Sequence, residues 1–172
     1  MTTLRLGGAV ALAALLADQV FKNFLLYGLG FIQQGRLHRI EVLPFFDLVM
    51  VWNRGVSYGL FPAEGLLGTV LITLFQLSAV ALMSWLLVKA DRPLLAVSLG
   101  LLIGGALGNV IDRILYGAVA DFFHFYARGF DWYVFNIADA AITIGVVVLI
   151  VDAVVRSDGK SKRSDREPVI RE

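Results

Sequence analysis

The sequence predicts an all-α membrane protein: a bundle of four transmembrane helices with a small extracytoplasmic β-sheet unit between the first and second helices. Hydrophobic residues make up 58% of the chain and its mean hydropathy is +0.77, whereas a soluble domain is usually about 45–50% apolar. Four apolar stretches are also long enough to cross the roughly 30 Å hydrocarbon core of a bilayer. They cover residues 6–29, 66–88, 94–114 and 134–155.

The first apolar stretch is predicted to be a retained helix and not a cleaved signal peptide, because it continues past Ala13 to the polar residues Asp18 and Lys22. Short basic segments set the orientation of membrane helices. In this chain the basic residues of such segments lie before the first helix, between the second and third helices, and in the tail. They are Arg5, Lys89, Arg92, Arg156, Lys160, Lys162, Arg163, Arg166 and Arg171. Residues 1–156 are therefore expected to form one membrane-embedded domain with both termini cytoplasmic, followed by a disordered tail over residues 157–172.

The segment over residues 30–64 is predicted to form the outer β unit. Strands are expected at 39–43 and 46–52, which are rich in β-branched and aromatic residues and are separated by Pro44. The segment from Tyr116 to Tyr133, between the third and fourth helices, is read as an outer loop. Trp and Tyr side chains prefer the headgroup level, and they fall at the predicted outer ends at Trp52, Tyr58, Tyr116, Trp132 and Tyr133.

Composition excludes several classes of site. The chain has no cysteine, which excludes disulfides and thiolate chemistry. Its net charge of +1, without a basic segment interleaved with aromatics, excludes nucleic acid as a partner. The two histidines, His38 and His124, lack a spaced third ligand, so no metal or cofactor is expected. A serine hydrolase is also disfavoured, because the residues around Ser57 lack the pattern of a nucleophile elbow.

Polar residues converge on the outer side of the bundle. Because successive helices run in opposite directions, Asp18, Asp112 and Asp139 all reach the outer third, and Asp121 lies in the loop just beyond the third helix. Helical spacing places Gly105, Asn109 and Asp112 on one face of the third helix, and Asn136, Asp139 and Thr143 on one face of the fourth. A stripe of Gly100, Gly104 and Gly108 is typical of close helix packing.

Asp121 and Asp139 are the candidate catalytic groups. A charge in lipid costs about 2.5 kcal/mol or more, so such residues persist where they pair or do chemistry. Two neighbouring carboxylates share a proton, and one then activates a water while the other donates to a carbonyl oxygen. This pattern predicts a membrane-embedded aspartyl hydrolase. From spacing alone a structural reading stays equally open, with Asp121 as a loop cap and Asp139 as a hydrogen-bond partner.

The other polar residues are expected to support the site. Asp18 and Lys22 lie one helical turn apart and are predicted to form an ion pair. Asp112 with Arg113 is predicted to tie the third helix to the outer unit. The amides of Asn53, Asn109 and Asn136 either position substrate and aspartates or are satisfied structural groups.

Three rival classes of membrane protein make different predictions for this sequence. A proton or ion transporter is disfavoured because the inner halves of the helices are almost purely apolar. An intramembrane protease with a Gly-x-Gly-Asp signature is disfavoured because that tetrapeptide is absent. A scaffold protein predicts that Asp121→Asn and Asp139→Asn are both silent.

The chain carries five polar motifs in order: DQVFK at 18–22, NRGVSYG at 53–59, GALGNVIDR at 105–113, VADF at 119–122 and FNIAD at 135–139. Together they resemble the bacterial lipoprotein signal peptidase, or signal peptidase II, family. The resemblance covers nearly all of the chain except the tail. It implies an aspartyl endopeptidase of the bacterial inner membrane that removes the signal peptide of a prolipoprotein on the amino side of its diacylglyceryl-modified cysteine.

The resemblance also assigns roles to residues. It implies Asp121 and Asp139 as the catalytic dyad, near the extracytoplasmic face. The matching positions implied to shape the site or bind substrate are Asp18, Lys22, Asn53, Gly105, Asn109, Asp112, Arg113, Asn136 and Ala138. Ser57-Tyr58 departs from the Ala-Phe more usual in the family, and activity is expected to be retained. The expected partners are diacylglyceryl-modified prolipoproteins and membrane lipid, with the chain itself a monomer.

Overall fold

The computed structural model of the chain describes residues 2–34, 39–55 and 65–164, with side chains described as far as residue 156. Helix α1 (Thr3–Asn23) continues into a π-helical turn (Phe24–Gly28) and is followed by the short α2 (Phe31–Gln34). Strands β1 (Ile40–Leu43) and β2 (Phe46–Asn53) precede the helices α3 (Gly65–Val88) and α4 (Pro93–Tyr116). Strands β3 (Val119–Ala127) and β4 (Phe130–Asp131) then lead to α5 (Ile137–Ser164).

Four helices in the described part of the chain are long and apolar enough to cross a membrane: Thr3–Gly28, Gly65–Val88, Pro93–Tyr116 and Ile137–Arg156. They confirm the predicted four-helix class. The ends follow local chemistry, since Thr2 caps α1 by accepting from the Arg5 amide and Pro93 lies in the first turn of α4. Gly117, with φ +71°, ends α4 in the left-handed conformation that glycine adopts without strain.

Helix α4 lies at the centre of the bundle and packs against α1, α3 and α5. Small residues allow this packing. A Cβ atom at Gly104 would overlap the Ala11 carbonyl oxygen of α1, and one at Gly105 would lie 2.5 Å from the Ala138 carbonyl oxygen of α5. The predicted packing role of the glycine stripe is confirmed, and it places the polar face of α4 between α1 and α5.

The outer sheet has four antiparallel strands in the order β1-β2-β3-β4. Its first two strands lie where the sequence predicts them. The segment between α4 and α5, however, is not the predicted loop, because it contributes β3 and β4. Asp121 therefore lies within a strand, paired with Val51 of β2. Pairing with β3 satisfies the backbone of β2, which would otherwise be an open edge.

One apolar cluster anchors the sheet to the helices. It consists of Leu25, Leu26, Phe31, Met50, Ala120 and Phe122, all of them buried. These residues come from the π-helical turn after α1, from α2 and from the two central strands. The strand that carries Asp121 is thereby held against the π-helical turn.

The opposite end of the bundle is closed by polar contacts. Arg92, in the link between α3 and α4, binds the Asp152 carboxylate of α5 at 2.7 and 2.8 Å. The Thr3 hydroxyl donates to the Ala90 carbonyl oxygen at 2.7 Å. Helix α5 runs to Ser164, so it covers the first part of the segment 157–172 predicted as a disordered tail. Residues 165–172 lie outside the described part of the chain.

Candidate active site

Asp121 is held by two asparagine side chains. The Asn53 amide donates to Asp121 Oδ2 at 3.0 Å, and the Asn136 amide donates to Oδ1 at 2.6 Å. Asn53 ends β2, and the β2–β3 register brings it next to Asp121. Only 1% of Asp121 is exposed, so both carboxylate oxygens depend on these donors in place of water.

Asp139 lies in the first turn of α5 and is half-buried. Asn109 of α4 donates its side-chain amide to Asp139 Oδ1 at 2.9 Å. Asn136 and Asp139 also cap each other: the Asp139 backbone N–H donates to Asn136 Oδ1 at 2.9 Å, and the Asn136 backbone N–H donates to Asp139 Oδ2 at 3.4 Å. This reciprocal cap resembles a capping box and places a carboxylate at the positive end of a helix.

Asn136 joins the two aspartates into one site. Its side-chain amide donates to Asp121 Oδ1 and also lies 3.2 Å from Asn109 Oδ1. A continuous amide chain therefore runs from Asp121 through Asn136 and Asn109 to Asp139. The site borders a cavity of about 330 Å³, lined on its polar side by Asn53, Asn109, Arg113, Tyr133 and Asp139.

Burial, and to a lesser extent the neighbouring Asp139, raise the pKa of the Asp121 carboxyl to about 7, although the Asn53 and Asn136 amides oppose the shift. Desolvation and a like charge both disfavour the ionised form. Asp121 can therefore hold a proton near neutral pH, which an ordinary aspartate cannot.

A buried ion-pair cluster lies beside Asp121 and Asp139. Lys22 Nζ lies 2.8 Å from Asp18 Oδ2 and 2.7 Å from Asp112 Oδ2, and the three side chains are at most 2% exposed. The predicted Asp18–Lys22 pair is confirmed. Lys22 also donates to Asn109 Oδ1 at 3.4 Å, so the cluster touches the amide chain.

The predicted tie of Asp112 and Arg113 to the outer unit is confirmed, and each residue makes its own contact. Asp112 Oδ2 accepts from the Ala120 backbone N–H of β3 at 3.1 Å. Arg113 donates to the Gly55 carbonyl oxygen at 2.9 Å and to Gln76 Oε1 of α3 at 3.0 Å. Adjacent helical residues point in different directions, so each finds its own partner.

The sequence matches the profile of the family described as Signal peptidase (SPase) II over residues 10–155. The chain belongs to the signal peptidase II family. It is 44% identical over 159 residues to the lipoprotein signal peptidase of Rhodopseudomonas palustris (strain ATCC BAA-98 / CGA009), covering 90% of the chain and 95% of that protein. It is 52% identical over 155 residues to that of Methylorubrum extorquens (strain PA1), covering 89% and 88%.

Solved structures agree with this membership. One, described as a bacterial membrane enzyme structure obtained by the in meso method at 2.3 Å, has a TM-score of 0.76 at 26% identity, covering 96% of this chain and 94% of that one. A second, at 1.9 Å, has a TM-score of 0.71 at 28% identity, covering 86% and 91%. Fold class, family and enzyme class are thus confirmed: this signal peptidase is a membrane-embedded aspartic endopeptidase.

The remaining predicted site residues of this signal peptidase lie at the junction of α1, α4 and α5. Gly105 allows α5 to approach α4, and the Ala138 backbone N–H donates to Asp18 Oδ1 at 2.9 Å. All the predicted positions thus come together around Asp121 and Asp139. Of the two histidines in the sequence, His124 lies between Asp47 and Asp131 on the sheet, and His38 lies outside the described residues.

Sequence reasoning missed Gln19 and Gln76. Gln19 contacts both carboxylates of the ion-pair cluster, and Gln76 accepts from Arg113. Each is an amide within an apolar span. That was an available signal, because polar side chains in such spans face the bundle interior or a water-filled cavity.

Proposed function

We propose that Asp121 and Asp139 are the catalytic dyad, and that the chain cleaves diacylglyceryl-modified prolipoproteins on the amino side of the lipidated cysteine. The observation that supports this proposal best is the amide chain that joins the two carboxylates, next to a cavity that Asp139 lines together with Asn53 and Asn109. A pair of linked carboxylates that can share one proton near neutral pH is the arrangement that water-mediated amide hydrolysis requires.

In the proposed reaction the dyad starts with one proton, held by the more buried Asp121. Asp139 accepts a proton from a water in the cavity as the water oxygen bonds to the scissile carbonyl carbon. Asp121 donates its proton to the carbonyl oxygen, which gives a neutral tetrahedral intermediate. As the C–N bond breaks, the Asp139 proton passes to the leaving nitrogen and Asp121 regains its own proton.

The depth of the site suits a lipid-linked substrate. Asp139 lies in the first turn of one span, while Asn109 and Arg113 lie in the last two turns of another. A diacylglyceryl cysteine is anchored by its acyl chains, which keeps the neighbouring peptide bond at the membrane surface. We place the chain in the bacterial inner membrane, with both termini cytoplasmic and the sheet on the extracytoplasmic side.

Membrane lipid is the second proposed partner, and a monomer is the proposed active form. The helices expose large apolar side chains to their surroundings, among them Leu66, Leu71, Phe75, Val88 and Ile114. The hydrogen-bond chain from Asp121 through Asn136 and Asn109 to Asp139 is complete within one copy of the chain, which supports a monomer as the active form.

The test is cleavage of a diacylglyceryl-modified prolipoprotein by the purified chain in detergent. We expect Asp121→Asn and Asp139→Asn to lower kcat by at least about 1000-fold, because each removes a group that transfers protons. Asp91→Asn is the matched control, since Asp91 is 83% exposed in the link between α3 and α4. Thermal melting establishes that each variant is folded.

The outcomes separate the parts of the proposal. Wild-type rates in a folded Asp121→Asn or Asp139→Asn variant would remove that residue from the dyad. Equal cleavage of the unlipidated precursor would contradict the assigned substrate class. If the wild type cuts neither form, the proposed activity fails, and proton or ion flux in liposomes becomes the next measurement.

A further inference from the structure

Each proposed catalytic aspartate follows an alanine whose backbone N–H is held by a buried carboxylate. The Ala138 N–H, just before Asp139, donates to Asp18 Oδ1 at 2.9 Å. The Ala120 N–H, just before Asp121, donates to Asp112 Oδ2 at 3.1 Å. Charge-assisted bonds of this kind are short and strong. Asp18 and Asp112 therefore anchor the backbones that carry the dyad.

These two anchoring carboxylates are joined to each other by two side chains of α1. Lys22 Nζ lies 2.8 Å from Asp18 Oδ2 and 2.7 Å from Asp112 Oδ2. Gln19 Nε2 lies 3.2 Å from Asp18 Oδ2, 3.0 Å from Asp112 Oδ1 and 3.2 Å from the Gly108 carbonyl oxygen. One turn of α1 thus cross-links the anchor of α5 to the anchor of β3.

The surrounding structure leaves room for this cross-link. A Cβ atom at Gly108 would lie 2.5 Å from Asp18 Oδ2, so only glycine there lets the Asp18 carboxylate reach the Gln19 amide and Lys22. Gln19 is suited to its position because its amide donates to both carboxylates without adding a charge to a nearly dry cluster.

We propose that Gln19, acting with Lys22, is a positioning residue that sets the separation of Asp121 and Asp139. The inference rests on the proposed dyad. It also explains why a glutamine stands beside Asp18 and Lys22 in the DQVFK motif. Gln19 is hydrogen-bonded to Asp18 and Asp112, and it acts through these two residues rather than by bonding to Asp121 or Asp139. Because a displacement of about 1 Å can cost roughly 100-fold in rate, a loose cross-link is expected to slow the reaction without weakening substrate binding.

The test compares Gln19→Met with Asn23→Leu in the cleavage assay. Methionine has nearly the length of glutamine but cannot donate, and the exchange leaves the charges around the dyad unchanged at Asp18, Lys22, Asp112 and Arg113. We expect Gln19→Met to lower kcat by about 10- to 100-fold while KM stays within about twofold. Asn23 is an exposed amide one turn further along α1 that donates to the Gln19 carbonyl oxygen, and Asn23→Leu should retain kcat.

The width of the pH–rate profile distinguishes a positioning role from a purely structural one, because a purely structural role would leave that width unchanged. Two coupled carboxylates titrate in two steps, whose spacing grows as the groups approach. If Gln19→Met lets the carboxylates move apart, its bell-shaped profile should be narrower than that of the wild type. Because the replacement is uncharged, a change in the width of the pH–rate profile reports on the distance between Asp121 and Asp139. Gln19→Asn, which keeps the amide but is too short to bridge both carboxylates, should give the same narrowing in a milder form.

The outcomes distinguish this inference from the proposed function. No cleavage by the wild type contradicts the proposed function. Cleavage by the wild type, with kcat and profile width unchanged in folded Gln19→Met or Gln19→Asn, overturns the positioning role alone. A lower kcat with an unchanged profile width overturns it as well, because the loss would then not arise from separation of the aspartates.

Discussion

Three asparagine amides hold the two carboxylates without neutralising them. Asn109 Oδ1 accepts from Lys22 and from Asn136, so its NH₂ group is left to donate to Asp139. Asn136 accepts from the Asp139 backbone and donates to Asp121. An amide can do both because it carries an acceptor and a donor on one planar group. A lysine or arginine in their place would favour the doubly ionised dyad, which cannot donate a proton.

Asp121 should make the stability of the fold depend on pH. Its pKa in the folded state is about 7, against about 3.9 for an unfolded aspartate. Between about pH 4 and pH 7 the folded state binds more protons, so the free energy of unfolding of the wild type falls as pH rises through that window. The Asp121→Asn variant has no carboxyl at this position and should not show this decrease. Its free energy of unfolding minus that of the wild type should therefore increase by on the order of 2 kcal/mol between pH 5 and pH 8.

Denaturant unfolding in detergent at the two pH values measures this difference, and Asp91→Asn is the matched control. Asp91 is 83% exposed, and an exposed charge contributes little to stability because water screens it. A stability difference between Asp121→Asn and wild type that is the same at pH 5 and pH 8 would contradict the proposed protonation of Asp121 in the fold.

At the scale of elements, the contact of α1 with α4 decides whether the ion-pair cluster can form. Asp18, Gln19 and Lys22 project from α1, and Asp112 projects from α4. Closer to the other end of the same contact, Gly104 lets the Ala11 backbone of α1 approach. Packing at the glycines and pairing at the charges are therefore two parts of one interface.

Gly104→Ala is expected to lower the free energy of unfolding by about 1–3 kcal/mol, because its Cβ would overlap the Ala11 carbonyl oxygen and lie 2.9 Å from the Ala14 Cβ. Peptidase activity should fall with it, since displacing α1 displaces Lys22. Gly8→Ala is the control, because Gly8 lies on α1 and its added Cβ would have no atom within 4 Å beyond its chain neighbours and the adjacent backbone of its own helix. A helix gains roughly 0.5–1 kcal/mol from such a change. Equal unfolding free energies for the two variants would show that Gly104 is not a close-packing position.

The strand β3 shows what the sequence could not predict at this scale. Its residues VADFFHFYA have strand character, yet a strand needs a partner, and β2 lies far away in the chain. Asn53 and Asp121 bond across a separation of 68 residues. Strand pairing over such distances depends on how the helices place the two segments, which local periodicity does not contain. The convergence of Asp121 with Asp139 was nevertheless predictable, because it follows from the alternation of helix directions.

For the whole molecule, the four spans and the depth of the polar layer followed from hydrophobic length and spacing. The choice of ion-pair partners did not. Lys22 lies one turn from Asp18 and also meets Asp112 of α4, while Arg113 turns away to Gly55 and Gln76. Which face of one helix meets which face of another is decided by packing over the full bundle, and that information is not local.

The two ends of the molecule differ in charge and architecture. Arg5, Lys89, Arg92 and Arg156 gather at the end closed by the Arg92–Asp152 ion pair, while the sheet lies at the other end. Basic residues near helix ends remain on the cytoplasmic side. The closed end should therefore face the cytoplasm and the sheet should face outward.

Single cysteines test this orientation cleanly because the chain has none of its own. Glu41→Cys places a thiol on the exposed edge strand β1, and Asp91→Cys places one in the exposed link between α3 and α4. In intact spheroplasts a membrane-impermeant maleimide should label the first variant, and should label the second only after the membrane is permeabilised. The reverse pattern would invert the topology and place the dyad at the cytoplasmic face, where a lipoprotein precursor exported across the membrane would not meet it.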